Sequence, residues 1–550
     1  MPELTLNKNP NKIFFIAAFV IMLSIAFFQC YKTTHDLQYA FDVDFDRDVS
    51  FAQSLMDGHY GQDPNYKGEF LWYNPMVFAI EAAISKLTSL PPSAVAAQAG
   101  TFLNFLSPLV FLLMAVYFFG LEVALAALFA FLFVRADMVN GGTVYGYSPW
   151  LYPFCFAQFA FYMNIIFCYK AFSSQKYIWF VLLGVGIGIS FLAHAAPTIL
   201  IILILVSIQF KNMIGSIKQN HIQYLKKYFF QGAVVFGFFI LAAMPLLYYV
   251  AGKYHLHVVN KDPMEYTEGM FYMSRIGEMI KKNLSVALVV SILGFIWFYK
   301  NFHQPLIRSI ILNWLVITVI MYVYTTVQSF LGGERYNIHL PGTVPSFHYY
   351  YYIKVVQFIF FGFGFVFLFR LLWGWLGKAA FTKPQSTPFQ SIFLATLLVL
   401  LALAVYPSYQ KRPDFTIMRD LSVARQKNYG KIEVYHFIMQ HIPEDEVILC
   451  ERKDSISFFP VMATARKMVC TEGTFSNPYI DFYERENDRE SMLSYLRTGT
   501  PDSARKLFGK YGVNYVLISA KRLNSYKSLQ LIPQDTVFRN EGFAIFKLKK

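Results

Sequence analysis

Four carboxylates and one guanidinium fall within seven residues, Asp42-Val43-Asp44-Phe45-Asp46-Arg47-Asp48, just after the first apolar segment of the chain. Charge beside a membrane is costly and marks a functional position by default. A carboxylate at hydrogen-bond distance from an acceptor proton can remove it, or can fix the acceptor while another bond breaks. Asp44 and Asp46 point the same way if the backbone is extended, whereas Asp46 and Ser50 share a face if a helix starts here. Asp46 is also suited to cap a helix over Asp48 to Met56, a purely structural role. Both readings stay open. Hard cations such as Mg or Mn prefer carboxylate oxygens, so Asp44 and Asp46 are the pair that would take one, although no complete ligand set can be read.

Polar residues at the edges of apolar runs form a second group. His194, in Leu192-Ala193-His194-Ala195-Ala196-Pro197, lies between two apolar segments, where it either lines a site or ties two helices through a backbone bond. His348 precedes four tyrosines, Tyr349 to Tyr352, which read most simply as an aromatic belt at the water interface, with stacking on a substrate as the alternative. Tyr73, in Tyr73-Asn74-Pro75, closes the region that follows the acidic cluster.

These residues are positioned by a membrane protein. Of 550 residues, 56% are hydrophobic, 19% aromatic and only 15% charged, far from the composition of a soluble domain. Five widely spaced cysteines show no metal-ligand spacing; Cys450 and Cys470 fall in two expected strands and would be the pair for a disulfide outside the cytoplasm. The net charge of +14 reflects cytoplasmic loops beside anionic lipid rather than a nucleic-acid partner.

Runs long enough to cross a bilayer occur at 13–31, 100–118, 120–134, 153–169, 178–193, 196–210, 229–250, 284–299, 309–327, 353–377 and 391–407, so about eleven spans are expected. The first follows Lys8 and Lys12 without a small-residue cleavage site and reads as a retained span. Connections carrying Lys170 and Lys176, Lys211 to Lys227, Lys300 and Arg308, and Lys378 and Lys383 contain no Asp or Glu, which makes them cytoplasmic. The N-terminus is then cytoplasmic, and residues 32–99 form a long first external loop. Its apolar stretch 74–90, which contains Glu81 and Lys86 and ends at Pro91-Pro92, reads as an external helix, since counting it as a span would invert every later loop.

The chain divides into a membrane part, 1–408, and a tail, 409–550, where apolar runs shrink and charge becomes frequent. Val447-Ile448-Leu449-Cys450, Met468-Val469-Cys470, Tyr515-Val516-Leu517-Ile518 and Phe543-Ala544-Ile545-Phe546 read as strands, and Arg489 to Arg497 and Asp502 to Tyr511 as helices. The fold class is an α-helical polytopic membrane protein with a C-terminal soluble α/β domain.

The acidic segment after the first span, the stretch Ser50 to Tyr60 ending in Asp57-Gly58-His59-Tyr60, and then Tyr73-Asn74-Pro75 together resemble the GT-C superfamily of multispanning glycosyltransferases. The resemblance covers residues 1–408 by layout, with Asp46-Arg47 where the family commonly has Asp-Glu and Asn74-Pro75-Met76 where it has Pro-Pro-Leu. It implies transfer of a sugar from a polyprenyl-phosphate carrier to a glycan, lipid or protein acceptor at the outer face of a bacterial inner membrane. It implies Asp46 as the carboxylate that handles the acceptor, with Asp44 and Asp48 as alternates. The phosphate of such a donor needs cations, for which Arg335, Arg275 and Arg135 are the external arginines; Arg335 is favoured because Gly332-Gly333 precedes it. Other readings are a transporter or lipid flippase, for which paired charges within spans and internal pseudo-symmetry are expected, and a noncatalytic envelope scaffold, whose loop carboxylates would tolerate substitution.

Overall fold

A computed structural model describes residues 12–134, 146–218, 223–260, 277, 280–281, 283–332, 338, 340–379, 387–452, 457–498, 501–532 and 534–549. They separate into two compact units, the first comprising 1–35, 100–243 and 267–417 and the second 36–99, 244–266 and 418–550.

The first unit is helical. Among the described residues eight helices are long and apolar enough to cross a membrane: α1 (Lys12–Thr34), α5 (Gly100–Phe119), α7 (Pro153–Ser174), α9 (Ala195–Lys218), α10 (Tyr224–Lys253, whose end counts with the second unit), α12 (Pro305–Gly332), α13 (Ser346–Trp375) and α14 (Phe389–Tyr409). Three shorter apolar helices, α6 (Leu121–Phe133), α8 (Tyr177–Ala193) and α11 (Val286–Asn301), complete the series expected from hydropathy. At 1.5 Å per residue α6 is only about 20 Å long, and it is buried at every residue from Val123 to Phe133, as a helix apolar on all sides must be.

Helices that cannot gain from hydrophobic contrast with lipid associate through close packing. Gly294 of α11 faces the backbone of α13 at Phe360 and Gly364, and Gly364 faces Val290 in return, so a Cβ on either glycine would strike main chain. Aromatic rings fill the interior: Phe111 stacks on Phe131 at 4.6 Å, and Phe161 meets Trp314 at 4.8 Å and Tyr352 at 4.7 Å. The tyrosines read as an interfacial belt are in fact core residues, Tyr349 to Tyr352 being at most 5% exposed, because the helix that carries them is packed on several sides. Glu122 and Arg370 neutralise each other at 2.5 Å, and Ser391 donates to the second Glu122 oxygen at 3.2 Å. This joins the start of α6, the end of α13 and the start of α14, three ends that the alternation of spans assigns to one side.

The second unit holds α2 (Val43–Met56), α3 (Met76–Thr88), α4 (Pro92–Gln98), α15 (Ile417–Gln426), α16 (Tyr429–His441), α17 (Phe482–Thr498) and α18 (Pro501–Tyr511). Its strands are β1 (Val447–Cys450), β2 (Lys467–Met468), β3 (Val513–Ser519), β4 (Gln534–Arg539) and β5 (Phe543–Leu548). They form one sheet in the order β2-β1-β3-β5-β4, with β1 parallel to β2 and β3 and the β4-β5 hairpin antiparallel. Alternation along β3 sends Tyr515 and Leu517 to the face covered by Val434 and Ile438 of α16. Val516 and Ile518 face Met492, Leu493 and Leu496 of α17 and Ala504 and Phe508 of α18.

The tail therefore has the expected strands, plus β4, whose polar sequence hides it, and two helices, α15 and α16, absent from the sequence reading. α18 ends at Gly512, whose φ of +66° suits a residue without Cβ. Cys450 and Cys470 are buried free thiols rather than a disulfide, and burial pushes both above the ordinary thiol range. Two residues of the 32–99 segment are tied to β2 within this unit by specific bonds. Asn65 accepts from the Met468 backbone at 2.7 Å through its carbonyl, and Lys467 donates to the Asp63 carbonyl at 2.8 Å.

Candidate active site

The acidic segment is helical from Val43, with Asp42 at the N-cap position in extended conformation. Asp46 is therefore not a cap, and Asp44 and Asp46 do not point together. Two residues apart on a helix, their side chains diverge by roughly 200°, and each finds a different arginine. Both lie in the first turn, where the exposed N–H groups favour negative charge.

Asp46 is held by the tail. Arg425 of α15 grips it with two bonds, Nη1 to Oδ1 at 2.6 Å and Nη2 to Oδ2 at 3.2 Å, and the same Nη2 donates to the Phe41 carbonyl at 2.8 Å. The carboxylate is 4% exposed, and burial raises its pKa against the pull of Arg425. A second bidentate pair, Arg419 with Asp36 at 2.7 and 2.8 Å, fixes α15 to the same segment.

On the other face Arg47 lies between Asp44 and Asp48. Its Nη1 stands 3.0 Å from Asp44 Oδ1 and its Nη2 2.9 Å from Asp48 Oδ1, while the guanidinium sits 3.9 Å above the Tyr73 ring. Tyr73 thus joins the acidic cluster by a cation–π contact. Asp48 is 1% exposed, whereas Asp44 keeps 32% of its side-chain surface open. Loss of water around Asp44 raises its carboxyl to about 7, with Arg47 opposing and Asp42 and Asp48 adding to the rise. A partly open carboxylate near neutrality is suited to accept a proton.

The cluster does not fit the cation site considered from the sequence, since Asp44 and Asp46 each face a guanidinium. Among the described residues no group of three or more His, Cys, Asp or Glu side chains could hold a metal ion.

In the first unit His194, at the C-cap of α8, and His348, in the first turn of α13, lie ring to ring at 4.5 Å. Ala196 N–H donates to His194 Nδ1 at 3.2 Å, so a neutral ring carries its proton on Nε2. His348 Nδ1 stands 3.1 Å from the Pro345 carbonyl, which accepts only, so the free lone pair of a neutral ring is on Nε2. Phe154 packs its edge on His348 at 5.5 Å and stacks on Tyr351 at 4.9 Å. Two turns along α13, Lys354 is 5% exposed inside an apolar helix and donates to Gln357 at 2.7 Å. The sequence reading passed over it, although a lysine in an apolar span is a signal in itself. Arg135, Arg275 and Arg335 lie outside the described residues.

No protein-family model matches the sequence, and none of the curated proteins does. Solved structures do match. ArnT from Cupriavidus metallidurans bound to undecaprenyl phosphate aligns over 96% of this chain and 97% of its own, with a TM-score of 0.52 and 13% identity. The archaeal oligosaccharyltransferase AglB from Archaeoglobus fulgidus, in complex with an inhibitory peptide and a dolichol-phosphate, aligns over 93% of this chain and 70% of its own, at TM-score 0.50 and 12% identity. At such identity the likeness is one of fold alone: the chain has the polytopic helical architecture of these two structures, with a small C-terminal sheet domain.

Proposed function

From the GT-C fold as premise, we propose that this protein is a membrane glycosyltransferase that moves a sugar from a polyprenyl-phosphate carrier to an acceptor outside the cytoplasm. ArnT and AglB were solved with undecaprenyl phosphate and dolichol-phosphate, which supports a lipid phosphate as the carrier here. The observation that carries the reading is Asp44, whose carboxylate shares Arg47 with Asp48 yet keeps 32% of its side-chain surface open, whereas Asp46 and Asp48 are buried in their ion pairs.

In the proposed step the acceptor oxygen or nitrogen attacks the anomeric carbon, the bond from that carbon to the phosphate oxygen breaks, and the acceptor proton passes to Asp44. The carrier leaves as a lipid phosphate whose growing charge needs a cation. Arg335, Arg275 and Arg135 remain candidates from the sequence, and Lys354 joins them as a buried lysine in an apolar helix. His194 and His348 are proposed to line the substrate path. Asp46 and Asp48 hold the arginines that shape the cluster. The membrane is a bacterial inner membrane, with the N-terminus cytoplasmic and the tail 409–550 extracytoplasmic, an arrangement supported by the charge asymmetry of the loops.

The test is transfer from undecaprenyl-phosphate-linked sugars by the purified full chain in nanodiscs, scored on envelope glycan, lipid and protein acceptors. Asp44→Asn is expected to abolish transfer in a protein that still unfolds in one cooperative thermal transition; full activity in that variant would refute the assignment.

A further inference from the structure

Glu81 of α3 is 0% exposed, and among the described residues neither of its carboxylate oxygens has a hydrogen-bond partner. A charged carboxylate in that state is prohibitively costly, and such a group takes up a proton instead. One other buried carboxylate oxygen of the acidic cluster is likewise without a partner, Asp48 Oδ2, the oxygen that Arg47 leaves unbound. The two residues lie on helices registered against each other by Phe51 and Phe78, whose rings stack at 4.7 Å and 20°. Asp48 is one turn before Phe51 and Glu81 one turn after Phe78, and Glu81 lies close enough to Asp48 and Arg47 to feel the charge of both. Burial drives the Glu81 carboxyl well above its ordinary range, Asp48 raises it further, and Arg47 opposes.

We propose that Glu81 is a positioning residue of the acidic cluster: as a neutral acid it donates its proton in a hydrogen bond to Asp48 Oδ2. Asp48 so held stays anionic and keeps its share of Arg47, and Asp44 is left with only part of that guanidinium. The basicity of Asp44 is then set by a residue that touches no substrate. This rests on the transferase reading only in its consequence for Asp44; the hydrogen bond stands apart from it. The groups that face the pair and Asp44 are Arg47, Asp42 and Tyr73.

Two measurements on the full chain in nanodiscs test the proposal. Infrared spectroscopy of the wild type at neutral pH is expected to show the C=O stretch of a buried protonated carboxylic acid, lost in Glu81→Gln; its absence from the wild type overturns the proposal whether or not transfer is found. The second is the pH dependence of kcat/KM. In Glu81→Met the partnerless Asp48 takes up the proton, Arg47 turns wholly to Asp44, and the acid limb moves down by on the order of one pH unit. Glu81→Gln, which keeps an N–H donor, restores the wild-type limb. Equal displacement in both variants, or in neither, overturns the positioning role. Absence of transfer from any lipid-phosphate sugar would instead overturn the transferase reading and leave the infrared result to decide Glu81.

Discussion

Asp46 and Arg425, 379 positions apart in sequence, form a bidentate ion pair with contacts of 2.6 and 3.2 Å. The carboxylate is 4% and the guanidinium 16% exposed, so removing either partner strands a desolvated charge. Breaking such a pair costs about 3–5 kcal/mol. Arg425→Met is expected to lower the stability of the full chain by that order, read as the midpoint of thermal unfolding in detergent. Asp46→Asn with Arg425→Met should recover part of the loss, since neither charge is then stranded. Should Asp46→Asn abolish transfer at an unchanged midpoint, Asp46 rather than Asp44 is the residue that handles the acceptor.

Asp44 makes the opposite prediction. Its carboxyl is raised to about 7, so its basic form accumulates as pH rises, and kcat/KM should climb through an acid limb near 7. Asp44→Asn should cost at least about 100-fold in transfer and remove that limb. The sign for stability is also fixed. Between the unfolded value of about 3.9 and the folded value of about 7 the folded state binds the extra proton, so this group's contribution is greatest at low pH and falls as pH rises through that window. Asp44→Asn, which cannot ionise, should flatten that slope in a titration of thermal midpoint against pH.

How far the sequence carries the fold can be judged from these same residues. Among the described residues hydropathy located the eight span-length helices and the three shorter apolar ones, because a run meant for lipid is long and apolar throughout. The acidic segment was legible as a cluster of charge beside an apolar run, which is expensive there. The division of labour within it was not. Whether Asp44 and Asp46 point together depends on a helix starting at Val43; Asp42 is a residue type suited to precede it, but with four aspartates in seven positions the sequence does not say which one marks the start. The partner of Asp46 lies on α15, a ten-residue helix whose apolar positions Met418, Leu421 and Ala424 do recur at helical spacing, but which is too short and charged to stand out beside the long apolar runs. Glu81 stood out as an acid in an apolar stretch, yet its burial depends on α2 lying against α3. Strand β4 was missed because its sequence, Gln534-Asp535-Thr536-Val537-Phe538-Arg539, is that of a half-exposed edge.

Lys354 carries the prediction for the donor. A lysine 5% exposed within an apolar helix is retained against the cost of burial, and a phosphate oxygen is the partner proposed for it. Hydrogen bonds to charged groups contribute about 1.5–3 kcal/mol, so Lys354→Gln should raise the KM for the lipid-phosphate donor by roughly 10- to 100-fold. The KM for the acceptor should stay unchanged. Initial rates measured against each substrate in turn separate the two, and an equal rise in both would remove Lys354 from the donor site.

The crossing of α11 and α13 makes a prediction about the scaffold rather than the chemistry. Gly364 lets the two backbones touch at Val290 and Gly294, while Gly374, ten residues further along the same helix, has nothing within 4 Å of where a Cβ would be. Adding a side chain at the first position must push two helices apart, at a cost of about 1–3 kcal/mol or more. At the second it merely replaces a poor helix former by a better one, a gain of up to about 1 kcal/mol. Gly364→Ala is therefore expected to lower the thermal midpoint and Gly374→Ala to leave it unchanged or raise it. A midpoint for Gly364→Ala at or above the wild type would mean that α11 and α13 do not meet backbone to backbone.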